Sequence, residues 1–279
     1  MTRSLSPMLR FTVAIAAQKS RVAPAVLAAL LVLCSAQVAA AETDDDFEIW
    51  TAAFMTAQFR ETAPGPTLWF DVHARRADAG SVLILRPGVG YAFNSWASVW
   101  VGYAWNPVFK DASHERVDVQ GPWEQLTLNY GKNPKMVLQS RTRFEQFWSD
   151  AGDKMYPRLR EFGRFNYRPS SSVPVGVAIF DEVFFGLKDV DWAHKGFFEN
   201  RIFAGLAIFD SSGVFRVEPG YMFVNIKRGE NKLLGHVLSL NFFLNFKPKA
   251  KSEKPPNRGE CAQTPAAAAQ PRSACGCGS

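Results

Sequence analysis

Arginine and glutamate recur at every second position along several extended stretches of this chain. Arg141, Arg143 and Glu145 share one side of such a stretch. Arg158, Arg160 and Arg164 share one side of the next, opposite Leu159, Phe165 and Tyr167. Arg216, Glu218 and Gly220 oppose Phe215, Val217, Tyr221 and Phe223. Side chains of an extended strand alternate between faces, so each set would stand on one surface of a sheet. If the polar faces point inward, Arg75, Arg86, Glu182, Glu199 and Arg201 join them around a common lumen. Two chemistries follow. An excess of guanidinium makes an eyelet that favours anionic solutes. Alternatively, the two signs pair and fill a narrow lumen, because charge in a low-dielectric interior is tolerated only when paired. The expected lumen-lining polar cluster is Arg141, Arg143, Glu145, Arg158, Arg160, Glu182, Arg201 and Glu218.

Other chemistry is sparsely represented. Four histidines occur: His73, His114, His194 and His236. His114 stands beside Ser113 and Glu115, and His194 near Asp191, where a solvated loop histidine is the ordinary reading. No Gly-x-Ser-x-Gly elbow, His-x-x-x-His pair or Gly-rich phosphate loop is present. The sequence therefore predicts no catalytic residue, no cofactor and no metal. Cys261, Cys275 and Cys277 could bind a soft metal or form a disulfide, but three thiols without a histidine make a weak site. No cysteine lies between Cys34 and Cys261, so the body has neither a disulfide framework nor thiol chemistry.

The elements that would position these residues are long strands. Leu238, Leu240, Phe242, Leu244 and Phe246 alternate with Ser239, Asn241 and Asn245 in a strand of the length and pattern needed to cross a bilayer at a tilt. Similar segments are read at 47–59, 66–76, 81–93, 96–106, 118–130, 135–148, 157–168, 174–185, 197–209, 213–226 and 234–246. Soluble strands usually run to about 5–6 residues, and a whole series at about twice that length points to a transmembrane antiparallel up-and-down β-barrel. Bacterial single-chain barrels have an even strand number, so about twelve strands are expected, with ten as the alternative. Tight turns at 94–95, 131–134, 169–173 and 210–213 are expected to alternate with longer loops near 107–117, 149–156, 186–196 and 227–233. That alternation would run the last strand towards the periplasm. Trp96, Tyr103, Trp105, Tyr130, Phe144, Trp148, Phe165, Tyr167 and Tyr221 fall on apolar faces or at segment ends, as at a membrane–water boundary.

Residues 1–41 read as a cleaved signal peptide: basic positions, an apolar run from Val22 to Cys34, then Val38-Ala-Ala-Ala41. Residues 42–247 form the expected outer-membrane barrel, and 248–279 a disordered Pro/Ala/Lys tail with cysteines. The net charge of +6 resides largely in leader and tail and gives no support for nucleic-acid binding.

A series of short motifs runs through the body in order. They are Gly90-Tyr91, Gly102-Tyr103, Trp123-Glu-Gln-Leu126, Arg141-Thr-Arg-Phe-Glu-Gln-Phe147, Arg158-Leu-Arg160, Asp181-Glu-Val-Phe184, Asn200-Arg-Ile-Phe-Ala-Gly205 and Glu218-Pro-Gly-Tyr-Met222. The series resembles the DUF2490 family of bacterial proteins, regarded as outer-membrane barrels, from about Phe47 to Phe246. The resemblance implies a barrel and transfers no catalytic residue. The expected partners are outer-membrane lipid and lipopolysaccharide, and the barrel-assembly machinery through strand 236–246. The readings in play are a narrow pore with a weak anion preference or a sealed structural barrel. The alternatives are a lipid- or lipopolysaccharide-modifying enzyme, and a soluble periplasmic ligand-binding barrel with its apolar faces inside.

Overall fold

The computed structural model describes residues 43–248, apart from 78–79, 131–132, 134, 171 and 229–230. The expected signal peptide, nearly all of the expected tail and all four cysteines lie outside the described residues.

Eleven strands form one closed barrel: β1 Thr43–Gln58, β2 Gly65–Ala77, β3 Gly80–Ala92, β4 Ala97–Lys110, β5 Arg116–Tyr130, β6 Met136–Ser149, β7 Gly152–Tyr167, β8 Val175–Gly186, β9 Gly196–Phe209, β10 Phe215–Arg228 and β11 Asn231–Phe246. Each segment read from alternation coincides with one strand. The expectation of twelve strands, or ten, is overturned. It rested on even parity, and parity is not required for closure. Consecutive strands are antiparallel, so with eleven the first and last point the same way and can meet only as a parallel pair. β1 and β11 do so, from Thr43↔Lys232 to Ala57↔Phe246. A parallel ladder is slightly less stable per residue, but it removes both free edges.

The loop-length expectation also fails. The connections at the rim where β11 finishes (the C-terminal rim) run over 59–64, 93–96, 131–135, 168–174 and 210–214. At the opposite, N-terminal rim several are shorter: 78–79, 150–151 and 229–230. β7 and β11 begin before their apolar alternation does, so they absorb residues that composition assigned to loops. Only 187–195, between β8 and β9, is a long N-terminal-rim connection.

Alternation is obeyed strand by strand, and it places charge inside. Arg143, Glu145, Asp71 and Glu218 are fully buried, whereas Val89, Val101, Ile179, Ile202, Leu206 and Leu238 are exposed on the outer surface. An arrangement with polar faces outward around an apolar core is therefore not the one adopted. Tyr91, Phe93, Trp96, Tyr167 and Phe246 stand exposed near the C-terminal rim, and Phe47, Phe109 and Trp148 near the other. The outer face of the middle strands also carries polar pairs. Thr142 donates to Glu161 at 2.9 Å, and the Asn200 amide donates to Asp181 at 2.5 Å, so these groups satisfy one another.

Candidate functional site

The inward residues form layers along the barrel. At the N-terminal rim the 187–195 loop turns Trp192 onto Tyr156, with ring centroids 5.3 Å apart. Its indole nitrogen donates to the Lys154 carbonyl at 3.1 Å, and the Tyr156 hydroxyl donates to the His194 carbonyl at 2.8 Å. Trp192 also packs against the buried Trp100, Ala104, Trp123 and Phe147. Trp123 fits because Gly88 and Gly102 leave it room. A Cβ at Gly102 would lie 2.4 Å from its ring and 2.3 Å from the Pro87 carbonyl oxygen.

Beneath this aromatic layer lies the ion-pair network. Cross-strand register sets Glu145 opposite Arg158 and Arg143 opposite Arg160 on β6 and β7, and Glu182 opposite Arg201 on β8 and β9. Glu145 accepts from Arg158 at 2.6 Å and from Arg160 at 2.8 Å, with Arg143 3.8 Å away. Glu182 accepts from Arg160 at 2.7 Å and from Arg141 at 2.6 Å, and Arg201 lies 3.6 Å from it. Arg160 thus bridges the two carboxylates. Arg143 donates to Gln125 at 2.8 Å, and its guanidinium lies 4.5 Å over Trp123, which ties the ionic layer to the aromatic one.

Seven of the eight predicted cluster residues therefore come together. Glu218 does not join them. It belongs to a second cluster that spans the lumen, where Arg164 on β7 reaches it on β10, with Asn166 at 3.1 Å and Arg216 at 2.8 Å. β7 and β10 are not neighbours, so no ladder rule could have paired them. A third cluster was missed in the sequence. Asp71, fully buried, accepts from Arg86 at 2.8 Å and from the Trp69 indole at 2.5 Å, with His73 at 2.6 Å. The signal for it was present: Trp69, Asp71 and His73 lie at period two before Arg75. Glu48, which accepts from the Trp50 indole at 2.5 Å, gave no such signal because the acidic run Asp44–Asp46 precedes it.

Towards the C-terminal rim the filling stops and a cavity of about 220 Å³ remains. Its walls are unlike. Guanidinium groups of Arg75, Arg86, Arg141, Arg160 and Arg201 line it, together with Arg164 and Arg216, which lie over the Phe243 ring. Phe54, Phe162, Phe180 and Phe243 supply an apolar surface, with Phe54 and Phe243 stacked across the β1·β11 seam at 4.9 Å. Thr56 and Asn245, hydrogen-bonded at 2.8 Å, stand at its mouth.

A family model described as "Protein of unknown function (DUF2490)" matches residues 47–234. The chain belongs to the DUF2490 family. It is also 30% identical over 226 residues to an uncharacterized protein of Methylorubrum extorquens, covering 79% of this chain and 96% of that one. No solved structure matches. The DUF2490 match spans β1 to the start of β11 and so contains the whole of the Glu145/Glu182 network. It ends short of Ser239, Asn241, Phe243 and Asn245, the β11 residues that complete the cavity wall. Within this DUF2490 barrel His114 and His194 stay in loops, His194 exposed and 3.8 Å from Asp189. Among the described residues no cluster of three or more His, Cys, Asp or Glu side chains is arranged to hold a metal.

Proposed function

We propose that this DUF2490 barrel is an integral outer-membrane protein with a closed lumen, a sealed cup rather than a conducting pore, and that it is not an enzyme. One observation carries the membrane reading: charge is buried inside and large apolar side chains are exposed around the outside. That is the inverse of a water-soluble barrel and suits a lipid solvent, where the outward residues meet acyl chains and the strands satisfy every backbone group. Strands of 12–16 residues are long enough to cross a bilayer at a tilt. The sealed reading rests on the fully buried Arg143, Glu145 and Trp123, which occupy the lumen beneath the Trp192 cap. Against catalysis, His73 has hydrogen-bonding contacts to Asp71 and Arg86 but to no hydroxyl nucleophile among the described residues. Lipid and lipopolysaccharide would surround the barrel, and strand 236–246 would be its handle for assembly.

Fractionation of producing cells, followed by gels with and without boiling, tests the location. Recovery in the outer membrane with a heat-dependent mobility shift is expected, and a soluble periplasmic protein without that shift would refute it. Planar-bilayer recordings test the seal: the purified barrel should give no unitary conductance steps, and steady steps would overturn the closed reading.

A further inference from the structure

The ion pairs inside the barrel do not balance. Among the described residues nine arginines point inward (75, 86, 141, 143, 158, 160, 164, 201 and 216) against seven carboxylates (Asp46, Glu48, Asp71, Glu145, Glu182, Glu199 and Glu218). The surplus is concentrated at the cavity, where Glu182 is the single acidic side chain in the lining and is already shared by Arg141, Arg160 and Arg201. Arg75 makes no ion pair among the described residues, and its guanidinium lies 3.9 Å over the Trp50 ring. The Nε–H groups of Arg75, Arg141 and Arg160 are buried and have no acceptor. A buried, unused charged donor is costly unless something accepts from it. The same lining carries the Phe54–Phe243 stack, Phe162 and Phe180.

We propose that the cup binds a small organic anion with an apolar body, such as an aryl or short-chain carboxylate. Its carboxylate accepts from the free guanidinium donors around Arg75, and its body lies against the phenylalanine wall. A planar guanidinium suits a carboxylate because two parallel N–H bonds fit its two oxygens. Inorganic phosphate satisfies the charge but leaves the phenylalanines bare, whereas a neutral aromatic does the reverse. Because the lumen is filled beyond the cavity, the ligand is held and not passed. The site lies wholly inside the barrel, so this inference stands or falls separately from the membrane reading.

Isothermal titration of the full-length protein in neutral detergent tests it, with benzoate, benzyl alcohol and inorganic phosphate as the probes. Benzoate should bind at least about tenfold more tightly than either comparator, and Arg75→Gln should weaken it by about tenfold or more, as expected for loss of a charge-assisted hydrogen bond. Arg75 has no carboxylate within ion-pair distance among the described residues, so the heat-dependent mobility shift should survive the change. Should that variant misfold, Asn245→Asp serves instead. It retains an acceptor for Thr56, places a negative charge at the mouth, and should also weaken benzoate. No detectable benzoate binding, equal binding of benzyl alcohol or phosphate, or unchanged affinity in a folded Arg75→Gln or Asn245→Asp protein would overturn the proposal.

Discussion

Glu145→Gln is the sharpest perturbation of the ionic layer. The carboxylate is fully buried and neutralises Arg158 and Arg160 directly, with Arg143 close by. Glutamine keeps the shape and one acceptor oxygen but removes the charge. Arg160 retains Glu182, while Arg158 has no other carboxylate within ion-pair distance among the described residues. Removing one partner of a buried pair costs about 3–5 kcal/mol, because the remaining charge is left uncompensated. With a urea dependence near 3 kcal/mol per molar, at the upper end for small proteins, the unfolding midpoint should fall by roughly 1–2 M. The assay is urea unfolding of the barrel in detergent, followed by tryptophan fluorescence and the heat-dependent mobility shift. Glu124→Gln is the control: that carboxylate is exposed on the outer face and, among the described residues, accepts from the Gln146 amide at 3.3 Å, so its midpoint should barely move. The double variant Glu145→Gln, Arg158→Gln removes the stranded charge and should recover part of the loss, a coupling of about 1–3 kcal/mol. A Glu145→Gln midpoint equal to wild type, or a double variant no better than the single, would show that these charges are solvated and not paired.

Three further outcomes follow from the geometry. Gly102→Ala should destabilise the barrel by about 1–3 kcal/mol through overpacking against Trp123 and the Pro87 carbonyl, seen as a lower urea midpoint with a changed near-ultraviolet tryptophan signal. Trp192→Ala should cost about 1–2 kcal/mol of stability for a half-buried indole, yet planar-bilayer recordings should still show no conductance steps, because the Glu145 layer stays in place. In the turn after β9, hydrogen bonds from Ser212 and then the Phe215 amide hold the Asp210 carboxyl below its ordinary range. That contribution is complete above the ordinary aspartate range and is lost as pH falls through the lowered folded value. The Phe215 amide resonance should therefore titrate below pH 3.8, and in Asp210→Asn it should not titrate there.

Much of the inner surface was legible in the chain, because each strand writes its faces at period two. Every arginine assigned inward from Arg75 to Arg216 is inward, and so are the glutamates assigned with them. Pairings between adjacent strands were accessible too, since Glu145 and Arg158 sit on consecutive segments, which are neighbours in an up-and-down barrel. Trp100 and Trp123 were harder. They interrupt polar faces with bulk, and their room comes from glycines on other strands, Gly90 for Trp100 and Gly88 and Gly102 for Trp123, which no single segment reveals. The loop lengths misled because strands here continue through polar residues at the N-terminal rim, where ladder hydrogen bonds hold the backbone whatever the side chains are.

By itself the sequence determined the approximate limits of the strands and which side chains share a face, because both are local consequences of alternation and turn chemistry; the odd strand number was settled only by closure of the barrel. It could not determine which face is inside, since a strand and its inverted reading have the same period. Tertiary structure decided that, along with the parallel β1·β11 seam that an odd meander requires. It also decided the contacts across the lumen: Arg164 meets Glu218 and Arg141 meets Glu182 only after the sheet has curved and closed, because curvature brings together strands that no ladder joins. The cavity beside the seam has the same origin, as the space those closures leave unfilled.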